Sequence, residues 1–143
     1  MFKHILVPVD LQETQFAARA LSIAVDQAQH CAADLHVLVV IPGFSMPMVA
    51  AYFPNDAFEK ACRDVQQRLE AYVGQNVPND VRATWSVRQG HPAENIVAEA
   101  KERGIDLIVM PSHTRSKLEN RFIGSCAARV AELARCSVMV VRD

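Results

Sequence analysis

Apolar and polar positions along this chain of 143 residues switch between two periods. Ile5-Leu6-Val7-Pro8-Val9 is an unbroken apolar run ended by Asp10, the pattern of a strand covered on both faces. From about Glu13 to Cys31 the period becomes helical, with Ala17, Ala20, Leu21, Ala24 and Ala28 on one stripe. Leu35 to Ile41 is a second buried run, stopped by Pro42-Gly43. Phe58, Ala61, Cys62, Val65, Leu69 and Tyr72 line a second helix, whose other face carries Glu59, Lys60, Arg63, Asp64, Gln67 and Glu70.

Val81, Ala83, Trp85 and Val87 alternate with Arg82, Thr84, Ser86 and Arg88, which predicts an edge strand with one wet face. Gly90-His91-Pro92 turns into a third helix that buries Ala93, Ile96, Val97 and Ala100 and ends at Gly104. Asp106 to Met110 is a fourth strand, Gly124 to Ala134 a last helix, and Ser137 to Val141 a fifth strand. Between the second strand and the second helix runs a long connection, Phe44 to Asn55, with Met46, Met48, Tyr52 and Phe53. These apolar residues either fold back on the core or form a lid or partner surface.

Strands alternating with helices predict an α/β fold, a Rossmann-like three-layer α/β/α sandwich on a five-stranded parallel sheet. Right-handed crossovers and the polar third strand favour the order 3-2-1-4-5. Strand order then reverses between the first and fourth strands, so a ligand crevice is expected at their carboxyl ends. The residues there are Asp10 and Pro111-Ser112-His113-Thr114-Arg115.

Composition narrows the function classes. The length suits a single domain, 1–143, and half of the residues are hydrophobic. The formal charge of −1 gives no global attraction to nucleic acid or to an anionic membrane. No apolar run reaches the ~18 residues of a membrane span, and the start, Met1-Phe2-Lys3-His4, lacks a signal-peptide core. A cytoplasmic protein is expected. Cys31, Cys62, Cys126 and Cys136 form no CxxC pair and read as reduced thiols packed as small hydrophobes. Cys126, in the first turn of the last helix, is the exception, because a helix start favours a thiolate.

Gly124-Ser125 opens the last helix, followed by the small residues Cys126, Ala127 and Ala128. Free N–H groups and the helix dipole attract phosphate there, and glycine permits close approach. The same pair is equally an ordinary helix cap, and Asp10 is equally a cap for the first helix. Neither GxxxxGK[ST] nor GxGxxG is present. Asp10 beside a bound phosphate is a candidate magnesium contact, with no second acid recognisable beside it. No Ser-His-Asp order, metal cluster or paired-carboxylate motif points to a dedicated catalytic centre, so at most slow incidental hydrolysis of a bound phosphate compound is expected. The five histidines are scattered, and only His113 falls in the expected site.

The opening Ile5-Leu6-Val7-Pro8-Val9-Asp10, the Gly90-His91-Pro92 turn and the ending Gly124-Ser125 with Cys136-Ser137-Val138-Met139-Val140-Val141 resemble the universal stress protein (UspA) family over essentially the whole chain. The 42–53 loop and Ser112-His113 are similar to its F/G-type subclass. ATP-binding members carry G-x2-G-x9-G-[ST], whose positions here are Pro111, Thr114, Gly124 and Ser125. The last two match and the spacings survive. Pro111 has no N–H to donate, and Thr114 adds a β-branched side chain where glycine would meet phosphate. His113 and Arg115 offer compensating positive charge, although Arg115 and Lys117 equally suit a solvated loop.

The resemblance implies that Pro8 and Asp10 stand near a ribose, that the backbone of Val40 meets an adenine edge, and that Met110 borders the same pocket. The implied ATP site is completed by Val9, Pro111, His113, Thr114, Arg115, Gly124, Ser125, Cys126 and Ala127. It implies ATP, ADP or AMP as ligand, magnesium as companion, and a stress-response or regulatory role. It also points to a homodimer through strand 137–141, apolar on both faces at a sheet edge, and to an unknown client protein. Two other classes stay open: a dimeric interaction module without nucleotide, and a redox sensor built on Cys126.

Overall fold

The computed structural model describes residues 1–42, 55–113 and 123–142; at Asn55, Asp56 and Phe58 it describes the backbone alone. The elements are β1 (His4–Pro8), α1 (Thr14–Cys31), β2 (Asp34–Ile41), α2 (Asn55–Asn76), β3 (Ala83–Gln89), α3 (Pro92–Glu102), β4 (Leu107–Pro111), α4 (Ser125–Leu133) and β5 (Ser137–Val141). The strands form one parallel sheet in the order β3-β2-β1-β4-β5. Each element predicted from periodicity is present and the strand order is the expected one. The 44–54 part of the long connection, with Met46, Met48, Tyr52 and Phe53, lies outside the described residues, as do Thr114, Arg115 and Lys117.

Because side chains alternate along a strand, each central strand feeds two separate cores. Ile5, Val7, Leu35, Val37, Leu107 and Val109 pack on one face against the alanine stripe of α1 and against Leu69, Val73 and Val77 from the end of α2. Leu6, Leu38, Ile108 and Met110 pack on the other face against Ala93, Ile96 and Ala100 of α3 and Ala127 and Val130 of α4. The buried stripe of α2 thus runs further toward its C-terminus than periodicity indicated. Ala61, Cys62, Val65 and Tyr72 are only half-buried, and Leu69 is the fully enclosed member of the predicted set.

Two helix ends turn through left-handed residues: Ala32 closes α1 at φ 53° and Gly104 follows α3 at φ 64°. The Asp106 carboxylate accepts the backbone N–H groups of Lys3 and His4 at 2.8 and 3.1 Å, tying the start of β1 to the approach to β4. No helix among the described residues is long and apolar enough to cross a membrane.

The third strand corrects one expectation. It is an edge strand, but the face carrying Thr84, Ser86 and Arg88 is not simply wet. Those residues lie beside His36 and Val40 of β2 in register, and α3 covers Ser86 and Arg88 with the carboxylate of Glu99. On the supposedly dry face, Trp85 remains 39% exposed. Alternation placed Val81, Ala83 and Val87 correctly in the core under α1 and α2, without revealing that α3 would cover part of the polar face as well.

Candidate functional site

A cleft of about 820 Å³ opens where β1 and β4 diverge, at their carboxyl ends. Its floor is apolar, from Val9, Val39, Val40, Ile96 and Met110. Pro8 and Asp10 enter from β1 and its following turn, Pro111 from the end of β4, and Ser125 and Cys126 from the first turn of α4. Eight of the thirteen residues named from the sequence therefore line one cavity: Pro8, Val9, Asp10, Val40, Met110, Pro111, Ser125 and Cys126. Thr114 and Arg115 lie outside the described residues. His113, Gly124 and Ala127 are described but are not in the lining.

Ala127 is buried in the α3/α4 core. Gly124 has a backbone reason of its own to be glycine. Its φ of −59° suits any residue, but a Cβ there would stand 2.7 Å from Ser112 O and 3.3 Å from His113 Nδ1. Its N–H donates to that same Ser112 carbonyl at 2.8 Å. The missing side chain makes room for the crossing of Ser112, whose carbonyl also takes this N–H. His113 Nε2 is buried without a hydrogen-bond partner among the described residues.

Asp10 stands both in the cleft lining and in the turn before α1. Its Oδ1 accepts the N–H of Gln12 at 2.9 Å, shaping the turn before α1, while the residue still lines the cleft. It does not cap α1 directly, since the cap position is Glu13. Glu13 and Glu94 also line the cavity, correcting the expectation that no second acid adjoins Asp10. Glu13 Oε2 is buried with no partner among the described residues. Two cations share the lining: Arg68 of α2, whose Nη2 donates to Leu11 O at 3.2 Å, and Arg129 of α4, which faces Glu94. Phe16 and His91 complete the walls. No sequence signal marked Arg68, Glu94 or Arg129, because each lies on a helix face whose charges read as solvated.

Cys126 departs from expectation. Burial pushes its thiol up and the charge of Glu94 pushes it further, so the thiolate is disfavoured despite the helix start. All four cysteines are unpaired and partly buried. Among the described residues no group of three or more His, Cys, Asp or Glu is placed to hold a metal ion.

A second polar cluster lies away from the cleft, under α3. His36 and Glu99 are 3% and 4% exposed, the two most enclosed ionisable side chains described. Ser86 Oγ donates to Glu99 Oε1 at 2.7 Å and stands 2.8 Å from His36 Nε2, while His36 Nδ1 lies 2.7 Å from Thr84 Oγ1. With the Ser86 proton committed to Glu99, Nε2 carries the imidazole proton and Nδ1 accepts from Thr84. Arg88 and Arg103 both donate to Glu99. Burial and the Arg103 charge lower the His36 pKa to about 4. Burial opposes ionisation of Glu99, but hydrogen bonds from Arg103, Arg88 and Ser86 outweigh it and lower its pKa to about 2. Serine, histidine and acid thus meet, yet serine and acid share one ring nitrogen, His36 Nε2. A nucleophile–base–orienter relay needs them on opposite nitrogens.

Comparison with known proteins agrees with this architecture. The sequence matches the model of the Universal stress protein family over residues 1–142. Universal stress protein YxiE of Bacillus subtilis strain 168 is 30% identical over 99% of this chain and 100% of its own length. The solved structure of protein MJ0577 superposes with a TM-score of 0.82 at 26% identity, over 100% of this chain and 97% of its own. A universal stress protein solved in complex with cAMP shares the fold with a TM-score of 0.62 at 22% identity, over 99% and 97% of the two chains. The chain belongs to the universal stress protein family.

Proposed function

We propose that this universal stress protein binds an adenine nucleotide in the cleft between β1 and β4, ATP foremost with ADP and AMP as alternatives. Occupancy then regulates what a homodimer of the chain binds. One observation carries the reading: residues from four separate stretches of sequence line a single cavity of about 820 Å³ at the point where strand order reverses. Small-molecule sites span ~300–1,000 Å³ and favour that point in the sheet.

The chemistry of the lining suits such a ligand. An apolar floor takes a base, Asp10 accepts from ribose hydroxyls, and the start of α4 at Ser125 and Cys126 offers backbone N–H groups to phosphate. Magnesium enters as a companion of the phosphates with Asp10 as its candidate protein contact. The cAMP-bound relative supports an adenine ligand on this fold.

In this reading residues 1–143 are one nucleotide-binding domain with a regulatory rather than catalytic role. The four unpaired thiols support a reducing, cytoplasmic setting. The outer edge of β5, at the end of the strand order, supports self-pairing about a two-fold. The client is a protein of unassigned identity, with no role for nucleic acid or membrane insertion. A non-nucleotide interaction module of the same fold is the second reading, favoured by Pro111 and Thr114 where ATP-binding members carry glycine. The raised Cys126 thiol argues against redox sensing.

Calorimetric titration of ATP, ADP, AMP and pyrophosphate tests the first reading. Asp10→Ala is expected to weaken ATP several-fold while leaving pyrophosphate nearly unchanged, and Cys126→Ser to keep ATP binding. Wild type that gives neither heat nor thermal shift with millimolar ATP and magnesium would give the lead to the interaction module. Sedimentation of the same preparation as monomer alone at micromolar concentration would remove the dimer.

A further inference from the structure

One wall of the cleft takes its charge from an ion pair between two helices. Glu94, in the first turn of α3, places Oε1 3.6 Å from Arg129 Nε of α4. Both residues line the cleft, and their side chains are 52% and 48% exposed. Arg129 Nη1 also donates to Glu132 Oε2 at 3.1 Å. Arg129 follows Ser125 by one helical turn, so the two share a face of α4. Glu94 reaches the same place from α3, since its charge is felt at the Cys126 thiol. An anion arriving beside Ser125 therefore meets a carboxylate and a guanidinium together.

Among the described residues the guanidinium adds to the few N–H donors at the α4 start. Pro111 has no N–H, and the N–H of Gly124 is taken by Ser112. Arg68 stands on the other side of the sheet, with α2, and donates to Leu11 O. Among the described residues, Arg129 is the arginine of the lining that adjoins the α4 start. Its contact with Glu94 is long, made through one nitrogen and half-exposed, the kind of pair that contributes little in water. A phosphate offers the same guanidinium more charge and a two-pronged contact.

We propose that Arg129 is the phosphate-selecting group of this cleft and that Glu94, beside the closer Glu132, competes for it until a polyphosphate takes its place, so that affinity rises with the number of phosphates. This rests on the nucleotide reading for the identity of the physiological ligand. The phosphate contact itself can be tested without a nucleoside.

The experiment titrates tripolyphosphate, adenosine, AMP and ATP, in EDTA so that no metal bridges carboxylate and phosphate, against wild type, Arg129→Gln, Arg129→Lys and Glu94→Gln. Arg129→Gln is expected to weaken ATP and tripolyphosphate by about tenfold, with a smaller loss for AMP and the smallest for adenosine. Arg129→Lys recovers part of that loss, and Glu94→Gln tightens ATP by about threefold. Thermal midpoints near the wild-type value verify that the variants are folded. ATP binding by wild type that Arg129→Gln leaves unchanged overturns the inference and spares the nucleotide reading. So does a Glu94→Gln variant that loses ATP, which would make the carboxylate a ligand rather than a competitor. Arg129-dependent binding of tripolyphosphate without binding of any adenosine compound, in EDTA or with magnesium restored, keeps the inference and overturns the nucleotide reading. Binding of none of the four under either condition overturns both.

Discussion

Both faces of the sheet carry an apolar core, but at the β3 edge of the α3 face the closure is polar. Under α1 and α2 the contacts are aliphatic, with the alanine stripe of α1 on Ile5, Val7, Leu35 and Val37 and with Leu69 fully enclosed. Under α3, toward the β3 edge, a carboxylate, an imidazole, two hydroxyls and two guanidinium groups fill the corresponding space. The apolar face tolerates deletion in proportion to the volume lost, because nothing there depends on a partner's charge. The polar corner is conditional, since each group is tolerable in the interior only while the others satisfy it. The contrast bears on the cleft, because α3 carries both Glu99 of the corner and Glu94 of the cleft wall.

Removing one member of each set should separate the two behaviours. Glu99→Ala leaves Ser86, Arg88 and Arg103 without their common acceptor, and its expected cost in urea unfolding is about 3–5 kcal/mol. Leu69→Ala removes the fully buried side chain of α2 and should cost about 2–4 kcal/mol. The sharper distinction is in pH: the Leu69 variant should keep the wild-type dependence and the Glu99 variant should not. Equal pH profiles for the two variants would erase the contrast.

The sign of that dependence follows from the native pKa values. His36 is lowered from 6.5 to about 4, so below pH 6.5 the unfolded chain takes up a proton the native protein resists. Stability from this group is fully present above pH 6.5 and is lost as pH falls toward 4. Glu99, lowered from 4.5 to about 2, continues the loss from pH 4.5 downward. Between pH 6.5 and 4 the His36 share is expected to be on the order of 2 kcal/mol. His36→Gln should flatten that interval; a variant as acid-sensitive there as wild type would assign the effect to other groups.

The smallest effect expected is that of Ser86→Ala, about 1 kcal/mol. Glu99 Oε1 lies 3.1 Å from His36 Nε2 and can take over the imidazole proton that Ser86 accepted. Arg88 and Arg103 keep the carboxylate satisfied. A loss near that of Glu99→Ala would show the hydroxyl, rather than the charges, to be what holds the corner together.

Much of this molecule was determined by sequence alone. Ile5–Val9 is apolar at every position, and Leu35–Ile41 at every position but His36, because both faces are covered, and that suffices for central parallel strands. The alanine stripe of α1 and the polar third strand then fix the layers and the 3-2-1-4-5 order, and with them the place of the cleft and its contacts at Asp10, Pro111 and Ser125. Tertiary structure decided how charge is used. Periodicity records which positions avoid water, and a charged residue carries the same local signal whether it faces solvent or a buried partner. Glu99 sits on the buried stripe of α3, His36 interrupts an apolar strand, and Arg129 lies on a helix surface, each meaningful only beside residues far away in sequence. Gly124 shows the same division: its position at a helix start was legible, but its reason, the carbonyl of Ser112 crossing 2.7 Å from where a Cβ would stand, exists only once the end of β4 and the start of α4 have been brought together.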